Sequence, residues 1–188
     1  MNNIAKLGAN LFIICAVAAL ALGLTNQVTA PKIEERSIQA NNESRKVVLP
    51  EAKEFKQLEN SEFEGNDGLV AEVYEGTNES QLVGYTIKTL PKGYGGNIEL
   101  IVGISKDGVI TGINIGNMSE TPGLGTKAAE PPFKDQFNQK PAKELSVVKG
   151  KASGEDQIEA ISGATITSSA VTKGVNAAIE VFNSSLSK

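Results

Sequence analysis

Apolar and polar positions alternate with different periods along this chain, and each period predicts an element. Ile4 to Leu24 are nearly all apolar, interrupted by Lys6 and Asn10, and from Leu11 to Leu24 no residue is charged or strongly polar. A membrane span needs about 20 such residues, so the segment predicts a transmembrane helix. A retained single anchor is favoured over a cleaved signal peptide. Val28-Thr29-Ala30 has the spacing of a cleavage site, but Pro31 directly after it suits a peptidase poorly. A lipid anchor at Cys15 is excluded by the bulky Ile14 before it and by the apolar run beyond it. Residues 1–26 are therefore read as tip and anchor, 27–49 as a solvated linker, and 50–188 as one domain.

Within that domain Pro50 to Glu59 predicts a short helix, with Pro50 at its first position and Phe55 and Leu58 on one side. Gly68 to Glu75 alternates as a strand with Leu69, Ala71 and Val73 on one face, and Gln81 to Leu90 predicts another. Pro91-Lys92-Gly93-Tyr94-Gly95-Gly96 ends it in a loop, either packed tightly against something or simply a wide connection. Asn97–Ser105 and Val109–Ile115 predict a hairpin about Asp107-Gly108. Ala128 to Gln139 predicts a short helix whose Phe133 and Phe137, four apart, favour a buried face over cofactor stacking. Glu144 to Lys149 predicts a strand. Ala170, Val171, Gly174, Val175, Ala178, Ile179 and Phe182 then share one face of a closing helix. The fold class expected is α+β: one helix, then a single domain with an antiparallel sheet and flanking helices.

Composition narrows the chemistry. The chain has 188 residues, a net charge of −4, no histidine and a single cysteine. No basic stripe serves a nucleic-acid backbone. No intrachain disulfide, thiolate metal site or haem attachment can be built from Cys15 alone. Without histidine the commonest general base is missing, and redox chemistry would need an organic cofactor. The anchor carries no intramembrane acid, the usual marker of an ion pathway.

Two stretches carry candidate chemistry. Ser162-Gly163-Ala164-Thr165-Ile166-Thr167 is a small-residue turn with hydroxyls at a helix start, where unpaired N–H groups suit a phosphate. Taken alone, these residues favour an ordinary Ser/Thr-rich helix cap over an anion seat. Glu120-Thr121-Pro122-Gly123-Leu124-Gly125 follows a strand exit, where ligand loops commonly sit, or else is a structural turn with a solvent-facing acid.

Together the two motifs resemble those of FMN-binding domains: S-G-A-T-x-T and E-T-P-G-L-G. The segment from Gly93-Tyr94-Gly95-Gly96 into the Asp107-Gly108 hairpin resembles the same family's central portion. With its anchor, the whole chain is similar to the G subunits of Rnf ion-translocating electron-transport complexes. The C subunits of the sodium-pumping quinone reductase are similar but typically longer. The resemblance implies a covalent FMN, joined through its phosphate to the hydroxyl of Thr167. It implies cofactor contacts from Ser162, Gly163, Ala164 and Thr165, and from Glu120, Thr121, Pro122, Gly123, Leu124 and Gly125. It implies a separate flavin transferase using FAD and Mg²⁺, and other membrane subunits as partners. It also implies a single-pass membrane protein with the FMN domain on the extracytoplasmic side. Two positions depart from the pattern: Met118 stands where a histidine is frequent, and Glu159 where aspartate is usual before S-G-A-T. An anchored assembly module without a working flavin is the alternative. A self-contained reductase is disfavoured, since no second nucleotide-binding fingerprint of the G-x-G-x-x-G kind is present.

Overall fold

The computed structural model describes residues 3–58 and 68–187. It divides into two units, residues up to Asn41 and residues from Asn42 onward. Helix α1 is Asn3–Val48. It is long and apolar enough to cross a bilayer, with a mean hydropathy of 2.3 over its most apolar window. The stretch read as a solvated linker is helical through residue 48 instead. The sequence between Leu24 and Val48 contains no glycine, Thr25 and Thr29 bond back to carbonyls four residues earlier, and Lys32 pairs with Glu35 at 2.8 Å. Polar composition keeps this stretch solvated without denying it a helix.

The second unit is built on a five-stranded antiparallel meander in the order β1 (Glu54–Gln57), β2 (Val70–Asn78), β3 (Gln81–Thr89), β4 (Leu100–Ser105), β5 (Ile110–Ile115). The predicted helix at Pro50 to Glu59 is thus a turn and an edge strand, with Glu59 outside the described residues. Its backbone has a better offer than a helix: Glu54 to Gln57 pair with Thr77 to Tyr74, and Lys53 and Leu58 donate to the carbonyls of Thr77 and Val73 at 2.9 Å each. In β2 a register shift between Val70 and Glu72 breaks the simple alternation, leaving Val73 fully buried. The β4–β5 hairpin closes through Asp107-Gly108 as expected, with Gly108 at φ +75°.

A 3₁₀ turn at Gly125–Ala129 leads into α2 (Pro131–Lys134) and a second 3₁₀ turn at Asp135–Phe137. The Ala128–Gln139 stretch is therefore no continuous helix, because Pro131 and Pro132 interrupt it. Phe133 and Phe137 are nevertheless core, their rings 5.6 Å apart. Two short strands, β6 (Ser146–Val148) and β7 (Gln157–Glu159), pair in parallel and deliver the chain to the closing helix. That helix, α3 (Thr165–Val181), packs on one face of the five-stranded sheet. All seven residues of its expected apolar face are buried, and Phe182 meets Tyr85 edge-on at 6.1 Å.

The other face of the sheet carries a line of charges. Buried Arg45, in the last turn of α1, bonds Glu72 at 2.6 Å and lies 3.6 Å over the Tyr74 ring. Lys88 joins Glu72 at 3.5 Å and Glu99 at 2.5 Å, and Glu99 accepts from the Asn117 side chain at 3.0 Å. Burial alone would raise the Glu99 carboxyl. The Lys88 ammonium and the Asn117 donors outweigh it and hold the group below its ordinary 4.5. Its ionised form therefore stabilises the fold above that value, and the contribution is lost as pH falls through the lower folded value. Urea midpoints measured from pH 6 to 3 are expected to drop in the acid limb, and Glu99→Gln to flatten part of that drop.

Candidate functional site

The loop after β5 and the start of α3 meet at one contact. Glu120 and Thr167 lie 47 residues apart, and the Thr167 hydroxyl donates to Glu120 Oε2 at 2.5 Å. Both are buried, at 6 % and 2 % exposure. Glu120 is therefore not a solvent-facing acid at a turn. Its other oxygen, Oε1, accepts the backbone N–H of Gly95 at 3.0 Å. Three separate segments thus converge on one carboxylate.

Local chemistry explains how each arrives. The Glu120 loop folds back on itself: Leu124 N–H donates to the Thr121 carbonyl at 3.1 Å, and Gly123 N–H to Thr126 Oγ1 at 2.9 Å. The α3 start is held by Ser168, whose hydroxyl donates to the Ala164 carbonyl and accepts from Ile161 N–H, both at 3.0 Å. That hydroxyl works one turn inside the helix and is not its cap. The cap position is Ala164, and no side chain caps it. The Ser/Thr-rich cap expected from the residues alone is therefore not formed, and among the described residues the first-turn N–H groups have no side-chain acceptor.

Two glycines make the convergence possible by having no side chain. A Cβ on Gly95 would stand 1.9 Å from the Ser119 carbonyl oxygen. One on Gly125 would stand 2.6 Å from Glu120 Oε2 and 2.8 Å from Thr167 Oγ1.

Above this floor opens a cleft of about 490 Å³, lined by residues that include Glu120, Thr121, Leu124, Gly125, Gly163 and Ala164, with Thr165 and Thr167. Tyr94 and Ile166 complete its walls. Tyr94, Ile166 and Leu124 are 72 %, 57 % and 43 % exposed, unusually open for large apolar groups. Among the described residues Glu120 is the sole carboxylate of the lining, which holds no lysine or arginine. Of the residues expected at the site, Pro122 and Gly123 do not line this cleft, and Ser162 lines a second depression beside Lys127 and Glu159. Tyr94 and Ile166 are additions to the expected contacts. The sequence signal for Tyr94 is an aromatic residue standing among three glycines.

The FMN-binding domain family model matches residues 93–180, which contain every residue of this site. The chain is 50 % identical to the G subunit of the Na(+)-translocating ferredoxin:NAD(+) oxidoreductase complex of Acetobacterium woodii, over 94 % of this chain and 90 % of that one. It is 34 % identical to the G subunit of the proton-translocating ferredoxin:NAD(+) oxidoreductase complex of Clostridium ljungdahlii, over 95 % and 91 %. Among solved structures the crystal structure of Shewanella oneidensis NqrC is similar in fold, with a TM-score of 0.50 and 22 % identity over 74 % of this chain and 70 % of that one.

Proposed function

Since the chain belongs to the G-subunit family of Rnf-type ion-translocating oxidoreductase complexes and carries an FMN-binding domain, we propose that it is a membrane-anchored electron carrier with FMN joined covalently to Thr167. It works within a complex that couples electron transfer to movement of Na⁺ or H⁺. Its partners are the other membrane subunits, and a flavin transferase that uses FAD and Mg²⁺ loads it. The FMN domain is assigned to the extracytoplasmic side of the membrane, following the family resemblance.

The residues present fit the cofactor. A cleft of about 490 Å³ is within the range that holds a ligand of this size. Tyr94, Leu124 and Ile166 offer apolar surface for a flat ring. The uncapped α3 start offers N–H groups and a positive dipole end to a phosphate. With no lysine or arginine in the lining, a phosphodiester, which carries one charge, suits the site better than a free phosphate with nearly two. Bound FMN supplies one- and two-electron redox chemistry. The chain's part is to hold the phosphate at Thr167 and Thr165, cover the ring and keep the group from being lost.

The observation that carries this reading is the Thr167 hydroxyl at the floor of an open cleft, beside an uncapped helix start. Peptide mass spectrometry of protein purified from its native membrane tests it. The expected result is a mass increase of one FMN less one water, localised to Thr167. Unmodified Thr167 from a host with an active flavin transferase would favour an assembly module instead.

A further inference from the structure

We propose that Glu120 is the general base that takes the Thr167 proton during flavin attachment. The inference rests on the reading of Thr167 as the attachment point.

The environment of Glu120 is the argument. Its carboxylate is buried, yet it enters none of the ion pairs among the described residues. Burying a charge without a cation is costly, so a purely structural role should not select one. Glutamine would serve structure better. Its oxygen would accept from Gly95 N–H, and its amide would donate to the Thr167 hydroxyl, with no charge to bury. What glutamine cannot do is accept the hydroxyl proton. Only a carboxylate makes Thr167 the donor and sets its proton on a 2.5 Å line to a basic oxygen. A threonine hydroxyl is a weak nucleophile until such a base is in reach. In a chain without histidine, this contact supplies one.

Gly95 and Gly125 hold the pair for that task. The Gly95 N–H fixes Oε1, which leaves Oε2 aimed at Thr167. A side chain at Gly125 would collide with Glu120 Oε2 and Thr167 Oγ1, so glycine there leaves the pair undisturbed, and both Glu120 and Thr167 line the cleft.

The step balances without a redox partner. Thr167 Oγ1 attacks the flavin-side phosphorus of FAD, presented with Mg²⁺ by the transferase. An Oγ1–P bond forms as the hydroxyl proton passes to Glu120 Oε2. The bridging P–O bond of the pyrophosphate breaks, and its electron pair leaves on AMP. Glu120 then returns the proton to water.

The test uses the full chain, made in a host without flavin transferase and kept in detergent. It is mixed with purified transferase, FAD and Mg²⁺, and adduct mass is followed in time from pH 6 to 9. Glu120→Gln is expected to melt like the wild type and to be flavinylated about 10²- to 10³-fold more slowly. Its rate should climb with hydroxide concentration more steeply than that of the wild type, a change that a packing role would not produce. In Glu120→Ala, added formate should restore part of the rate. If Glu120→Gln fails to melt cooperatively, the formate experiment decides: rescue supports the base, and no rescue overturns it. A folded Glu120→Gln loaded within about threefold of the wild-type rate overturns the proposal and assigns the base to the transferase. A wild-type chain left unmodified at Thr167 overturns the attachment reading as well, so the two failures are distinct.

Discussion

Thr167→Val is expected to yield a folded protein that carries no covalent flavin. Valine keeps the β-branched shape and its helical rotamer, so α3 still forms around this buried position, and the loss falls on the hydroxyl's hydrogen bond. The nucleophilic oxygen is gone, and no other hydroxyl takes its place. Thr165 lines the cleft, but Thr167 is the one that bonds Glu120. Flavin fluorescence in a denaturing gel should disappear from Thr167→Val and persist in Thr165→Val, while Thr167→Ser keeps a hydroxyl and can be loaded. The substitution also leaves Glu120 Oε2 without its donor, at a cost of about 1–3 kcal/mol. The unloaded protein should therefore melt a few degrees lower, roughly 2–4 °C per kcal/mol for a domain of this size. A fluorescent band from Thr167→Val would refute the attachment site whatever the melting temperature.

Gly95→Ala is expected to damage the site while sparing the sheet. The added carbon would lie 1.9 Å from the Ser119 carbonyl oxygen and 2.9 Å from its carbon, both backbone atoms that cannot rotate away. The 91–97 loop must move off the Glu120 loop, and the Gly95 N–H loses Oε1. Overpacking of about 1–3 kcal/mol adds to about 1.5–3 kcal/mol for a hydrogen bond to a charged group. A fall in melting temperature on the order of 10 °C follows, with an unchanged far-ultraviolet circular dichroism spectrum. Flavin loading should slow at least about tenfold, because the carboxylate is no longer aimed. Gly96→Ala is the control. Its new carbon meets nothing nearer than the Ser119 Cβ at 3.5 Å, an ordinary contact, so its melting should stay within about a degree.

How much of this can be read from the residues depends on how far apart the partners lie. The apolar face of α3 is local, repeating every three or four positions, and all of it is buried as expected. The Asp107-Gly108 hairpin is local as well. Strand β1 escapes such a reading because an edge strand with three exposed residues shows no alternation, and its partner is supplied by residues 74 to 77. The helix through residues 27–48 is hidden because a polar composition resembles that of irregular chain. Both motifs of the site are visible, but not the bond between them. A contact spanning 47 residues has no signature in either stretch alone, so Glu120 looks like a solvent-facing acid. The missing helix cap is hidden for a related reason: Ser168 is bound to Ile161 and Ala164 inside the turn.

The depth of Thr167 has a consequence for timing. Thr167 is buried, and it lines a cleft whose walls include the exposed side chains of Tyr94, Leu124 and Ile166. On the proposed reading a transferase would deliver a dinucleotide into that cleft, and any neighbour that covered the cleft first would end the opportunity. Loading would then have a deadline. Chains that meet a sealing neighbour before the transferase would be trapped empty, and the ratio of the two encounter rates would set the fraction of complexes that carry an electron.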